Sequence, residues 1–416
     1  MNTTTYDPRE LRPAEAREGA LSAALPGLIQ GAQRAAGWSR ILSGVDPHAI
    51  TSRKALAALP VTRKGDLKAL QQLDAPFGGL NTTPPGQLRR LFMSPGPIFD
   101  PEGHGPDWWR TAAALHAAGI RPGDVLQNCF SYHMTPAAFM IEAGAAALGC
   151  PVIPAGIGNT EQQVEAMTVL KPRAYVGTPS FLRIILERAA EMNVDLRHVQ
   201  KALVAAEALP PSLRQWFIDR GMSQVQQWYG TADLGCVAFE TCTDGVVHPG
   251  MVLSEDLLLE IVKPGAGEVC APGEVGEIVI TMFNPDYPLI RFGTGDLTKL
   301  LPEPSPCGRT NQRIAGWMGR ADQTTKVRGL FVHPAQINDI SKRFPELGRV
   351  RMVITGSMGQ DDMVLKAESG EQHDGLAYRL RDAIRDITKL RGEVELVAPG
   401  SLPNDGKLIE DARSYQ

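Results

Sequence analysis

The chain has 416 residues, a mass of 45.0 kDa and an apolar fraction of 43%, more than one simple core needs, which points to a large domain with a smaller one. A formal net charge of -4, with Lys and Arg scattered throughout, leaves no basic stripe for a phosphate backbone, so nucleic acid is excluded as a partner. The stretch Met1 to Glu18 is polar with both charge signs, and no run approaches the ~20 apolar residues of a membrane helix, so neither signal peptide nor membrane partner is expected and the chain reads as soluble and cytoplasmic.

Residues 10–75 read as a helical cap, with Ala and Leu at helical spacing and Pro26, Pro47 and Pro60 breaking the segments. From Asp124 short apolar stretches alternate with longer amphipathic ones: 125–130, 136–148, 151–154, 161–170, 174–177 and 180–192, repeated at 203–206, 211–220 and 224–228. That alternation predicts an α/β domain with a parallel sheet flanked by helices. After Gly230 the pattern changes to Gly- and Pro-punctuated β segments at 257–262, 276–282 and 296–300, as in a small β-barrel-like subdomain spanning about 231–318. Residues 350–397 give the order strand, strand, helix, strand of a small, mobile α+β domain. The boundary is set at 321/322, beside Gly319-Arg320, giving a large domain over 1–321 and a lid over 322–416.

Three pieces of sequence carry chemistry. In Trp228-Tyr229-Gly230-Thr231-Ala232-Asp233, at a predicted strand end, the Tyr229 ring can stack on a purine and Asp233 can reach a metal held by phosphates. In Arg291-Phe292-Gly293-Thr294-Gly295-Asp296 the glycines permit close backbone approach in a turn, and Asp296 can accept two hydrogen bonds from a ribose diol. Arg320 can support the same sugar, and the late Lys407 can reach a reacting carboxylate. Singly, each has a plain alternative as a turn, a Gly-rich hairpin, a charged loop or a surface lysine.

In this order the pieces resemble the adenylate-forming superfamily of acyl-CoA synthetases, luciferases and peptide-synthetase adenylation domains, and most of all its phenylacetate-CoA ligase branch. The resemblance runs from about residue 59 to the end, through Leu59-Pro60-Val61-Thr62-Arg63-Lys64-Gly65-Asp66-Leu67, Gly158-Asn159-Thr160-Glu161, Gly177-Thr178-Pro179-Ser180 and Val332-His333-Pro334. It implies that Tyr229 stacks on adenine, with Gly230 beside it and Ala205-Ala206-Glu207 along the adenine edge. Asp296 and Arg320 hold the ribose, and Asp322 is the hinge. Asp233, where the family usually has Glu, helps bind magnesium, with Thr231 next to it. Lys407 bridges the substrate carboxylate and the α-phosphate, and after a rotation of the small domain the segment at Gly329 lines a thiol tunnel for CoA.

The chain departs from the family at its phosphate loop. A stretch rich in Ser, Thr and Gly, with a lysine, is expected; here it is Phe92-Met93-Ser94-Pro95-Gly96-Pro97-Ile98-Phe99-Asp100-Pro101-Glu102-Gly103, with two prolines lacking amide donors and two acidic residues where a triphosphate would lie. Some members of the branch carry a zinc in the region of Cys242, His248 and Cys307. Here Ser305 stands where one ligand is expected, so Cys236, water or Ser305 itself completes the shell or the residues hold no metal. Tyr132, His133 and Thr135 stand at the family's substrate gate and either flank an aromatic acid or only pack the strand.

The expected function is ATP-dependent activation of an aryl or arylalkanoic acid as its adenylate, followed by transfer to CoA, with ATP, magnesium and CoA as cofactors. A descendant that has lost the pyrophosphate-forming step and binds an aromatic acid, acyl-adenylate or CoA ester is the alternative. An amine or carrier-protein thiol as acceptor, and a homodimer, stay open.

Overall fold

The computed structural model describes residues 5–413 apart from 95–96, 208, 329, 358–359, 371–373 and 405; for residues 322, 326, 331, 357, 360 and 374 it describes the backbone only. The chain divides into two units, one of Met1–Ile261, Gly267–Thr294 and Lys299–Gly316, the other of Val262–Ala266, Gly295–Thr298 and Trp317–Gln416. The crossing into the second unit thus falls at 316/317 and takes Asp296 with it.

In the first unit Leu21, Leu25, Ile29 and Ala32 recur every three or four residues and are all buried, which holds the helix Ala14–Ala32 together. Pro26 lies inside that helix instead of ending it, so the expected break there is corrected: burial of the apolar stripe outweighs the one missing hydrogen bond. Pro47, by contrast, opens a short 3₁₀ turn.

The alternating segments form a nine-stranded sheet. Val152–Pro154, Leu126–Asn128, Ala174–Gly177, Lys201–Val204 and Gln224–Thr231 run parallel in that spatial order. Gly235–Phe239, Met251–Leu253, Arg313–Ile314 and Leu300–Leu301 continue it antiparallel. Parallel strands need crossovers, and the helices Ala137–Leu148, Thr160–Leu170, Pro179–Glu191 and Pro211–Ile218 supply them. Thr178 caps one of these, its hydroxyl accepting from the Phe181 amide at 3.3 Å with Pro179 in the first turn. A second sheet orders Thr62–Arg63, Leu289–Thr298, Gly276–Met282 and Leu257–Val262, the first two paired in parallel.

The second unit has its own core. Its sheet orders Glu393–Val397, Gln360–Glu368, Val350–Ser357 and Ile409–Asp411, and Leu376, Leu380, Ala383 and Ile384 of the helix Asp374–Thr388 are buried at helical spacing. Among the described residues no helix is long and apolar enough to cross a membrane.

Candidate active site

In the first unit the segment around Tyr229 is the end of the strand Gln224–Thr231, where pairing with Gly235–Phe239 slips between Tyr229 and Gly230. Gly230 is obligatory there, since a β-carbon would come within 2.4 Å of the Gly235 carbonyl oxygen and 2.5 Å of the Trp228 ring. The slip turns the chain, and Thr231 Oγ1 accepts from the Leu234 amide at 3.2 Å. Asp233 follows in the interior, 1% exposed, with Oδ2 accepting from Lys64 Nζ at 2.6 Å. Asp100 is fully buried, and neither of its carboxylate oxygens receives a hydrogen bond among the described residues; nor does Asp233 Oδ1, and the Tyr287 hydroxyl likewise has no partner there. Burial, and then the Asp233 carboxylate, push the Asp100 carboxyl well above the usual carboxylate range. A magnesium ion keeps several waters and near-octahedral oxygen ligands. Asp233, enclosed and already paired with an ammonium, does not fit that requirement.

The suspected phosphate loop includes a hairpin, Arg90–Ser94 paired with Ile98–Glu102 and Ser94 opposite Ile98, while residues 95–96 lie outside the described residues. The acidic residues read there as a barrier to phosphate are internal. Glu102 is buried and paired with Arg90 at 3.0 Å and Arg89 at 3.6 Å, while Asp100 faces Asp233.

Along the expected adenine edge, the Ala205 amide bonds the Gly177 carbonyl at 3.2 Å, Ala206 is left-handed at φ 66°, and Glu207 accepts from Ser180 Oγ at 2.9 Å. Of the gate residues, the Tyr132 hydroxyl donates to Glu142 at 2.8 Å and accepts from Asn128 at 2.9 Å. Burial, and then Glu142, drive its pKa up. Thr135 Oγ1 bonds the Ser131 carbonyl at 3.2 Å, and His133 is exposed. The Met93 amide donates to the Met134 carbonyl at 2.9 Å, tying hairpin to gate.

In the second unit Asp296 is buried, with Oδ1 accepting from Trp317 Nε1 at 3.0 Å and from Arg320 at 3.2 Å, and Asp296 and Arg320 form an antiparallel bridge. The Gly-Thr-Gly stretch is not the turn expected: it lies inside the strand Leu289–Thr298, because flanking Leu289, Ile290, Phe292 and Leu297 are core residues. Gly295, at φ +76°, lets the Arg320 guanidinium pack where a β-carbon would stand, 2.9 Å away. Arg291 is a structural clamp of the first unit, bound to Glu260 at 3.0 Å and to the Ala57 and Gly267 carbonyls at 2.8 Å. Beside Lys407, Gln323 accepts from the Leu408 amide at 2.9 Å and donates to the Gly406 carbonyl at 3.4 Å. Gly329 and the Asp322 side chain lie outside the described residues.

The metal expectation is corrected. Among the described residues no three His, Cys, Asp or Glu side chains gather as a metal site. Cys236 is buried against Ser254 at 3.6 Å, His248 Nδ1 bonds Thr241 at 3.0 Å, Cys307 lies 3.0 Å from Ser305 Oγ, and Cys242 is 3.9 Å from Gln224. Each finds a hydroxyl or amide instead of the others.

Sequence reasoning did not assign Lys64, Trp317, Gln323 or Glu142 a role. Lys64 lies within the quoted Leu59–Leu67 signature, and pairing across 169 positions is the part no local pattern displays.

Residues 112–282 match the family model described as AMP-binding enzyme. The chain is 29% identical over 378 residues to a phenylacetate-coenzyme A ligase of Aromatoleum evansii, covering 86% of this chain and 84% of that one. It is 29% identical over 402 residues to another of Thermus thermophilus, covering 88% of both. Its fold superposes on an open conformation of 2-hydroxyisobutyryl-CoA ligase in complex with 2-HIB-AMP and CoA, with a TM-score of 0.85, 25% identity and coverage of 98% of this chain and 95% of that one. Over most of its length the chain is thus similar to adenylate-forming CoA ligases, the phenylacetate-coenzyme A ligases among them.

Proposed function

We propose that the protein is an acid–thiol ligase that converts an aryl or arylalkanoic carboxylate and ATP to acyl-adenylate and pyrophosphate, then passes the acyl group to CoA with release of AMP. The observation that carries this reading is Asp296, a buried carboxylate oriented by Arg320 and Trp317, which matches the needs of a ribose diol. Tyr229 stacks on the adenine, with Gly230 and the Ala205–Glu207 segment along its edge. Lys407 neutralises the carboxylate and α-phosphate as charge develops between them, and Thr231 is the second catalytic residue. Asp322 is the hinge, and the Gly329 segment receives CoA. Tyr132, with His133 and Thr135, borders the acyl group. No step is assigned to a metal at Asp233.

The pairing of Arg90–Ser94 with Ile98–Glu102, which takes Asp100 and Glu102 into the interior of the segment expected to cradle phosphates, supports the second reading, in which the pyrophosphate-forming step is lost and the protein takes a ready-made acyl-adenylate or CoA ester. Calorimetry with MgATP and with AMP, with and without phenylacetate or benzoate, separates them. Binding of MgATP with acid-dependent pyrophosphate release is the expected result. Binding of AMP alone would favour the second reading, and binding of neither would sink both nucleotide readings. Aliphatic hydroxy acids in the same assay test the aryl preference.

A further inference from the structure

Lys64 and Asp233 meet from 169 positions apart, the ammonium donating to Oδ2 at 2.6 Å. Lys64 is not a loose surface side chain. It begins the 3₁₀ turn Lys64–Asp66, directly after the strand Thr62–Arg63, which is paired with Phe292 and Gly293. Asp233 is fixed from the other side by the slipped strand end at Tyr229–Gly230. The surroundings are dry: Asp100 and Tyr287 are 0% exposed. A divalent ion at Asp233 would sit against an ammonium of like charge that already holds Oδ2.

We propose that Lys64 is the resident counter-ion of Asp233 and takes the electrostatic place of a divalent metal there, so that this chain binds no metal through Asp233. Any requirement for magnesium then belongs to the nucleotide and its pyrophosphate, not to this carboxylate. The proposal rests on the adenylate reading, which is what makes Asp233 a metal candidate at all.

The test titrates Mn²⁺ into the full chain, without nucleotide and with AMP, and reads free Mn²⁺ by electron paramagnetic resonance. Wild type and Asp233→Asn are expected to take up Mn²⁺ indistinguishably, and Lys64→Arg to behave as wild type. Lys64→Met is expected to gain a site at least about ten-fold tighter, which Lys64→Met/Asp233→Asn loses again. Uptake by wild type that falls about ten-fold or more in Asp233→Asn overturns the proposal, as does a folded Lys64→Met that gains no site. Should Lys64→Met not fold, wild type against Asp233→Asn decides it, with melting temperature as a second readout. A Mn²⁺-induced rise in wild type that Asp233→Asn abolishes also overturns it. AMP binding by calorimetry on the same samples judges the adenylate reading separately, since the nucleotide-free titration does not depend on it.

Discussion

Lys407 gains its definition from what flanks it: Gln323 holds the backbone on either side, at Gly406 and Leu408. Lys407→Ala is expected to lower acid-dependent ATP–pyrophosphate exchange by about 10²–10³-fold, the usual loss when one preorganised charge stabiliser is removed, with acid binding kept. Equal exchange in variant and wild type would take Lys407 out of the mechanism. Asp296 depends on two donors, and Trp317 supplies one at 3.0 Å. Trp317→Phe keeps the ring and removes that donor, so AMP affinity read by calorimetry should fall by about 1 kcal/mol, roughly five-fold. An unchanged affinity would show that Arg320 alone orients the carboxylate.

Elements, more than single side chains, connect the hairpin to the gate. Arg90 bonds the buried Glu102 at 3.0 Å and lies 4.8 Å over the Phe139 ring, whose centroid is 5.4 Å from that of Tyr132. Arg90→Ala leaves Glu102 only the longer contact to Arg89 and uncovers Phe139. Urea unfolding should show a loss of about 2–3 kcal/mol, toward the lower end for breaking a buried pair because Arg89 remains. A loss below about 0.5 kcal/mol would mean that the pair behaves as a surface bridge. The same linkage gives the hairpin a structural role: it braces Met134 through the Met93 amide.

At the scale of the molecule, buried ionisable groups set how stability responds to acid. Burial, and then Arg121 and Arg309, hold His116 down to about 4, so the folded chain keeps it neutral while the unfolded chain protonates near about 6.5. Its contribution is full above that value and is lost as pH falls toward about 4. Asp107 runs the other way. Burial raises it to about 6, so its contribution is present below its unfolded value near about 4 and is lost as pH rises toward about 6. The two slopes oppose each other, and the urea midpoint of wild type should change little between them. His116→Leu should instead gain stability on mild acidification, and a variant that loses it over that range would refute the assignment.

Local and periodic information was enough for much of this. The alternation after Asp124 foretold the parallel strands and their crossover helices, because burial of a sheet between helices imposes period two and period 3.6 on the residues themselves. The residue types at 229–233, 296, 320 and 407 point to a nucleotide chemistry, because ribose, purine and phosphate ask for different donors. Pro26 and the Gly-Thr-Gly stretch were misjudged, since core packing overrode the local preference for a break or a turn. The cysteines and His248 stand where the family resemblance implies a metal set, yet each satisfies its polar atom locally. That Lys64 neutralises Asp233, that Trp317 orients Asp296, and that Asp100 turns inward were decided by tertiary structure alone. Coulombic and hydrogen-bonded partners are chosen by proximity in space, and the chain distances that separate these residues leave no periodic mark in the sequence.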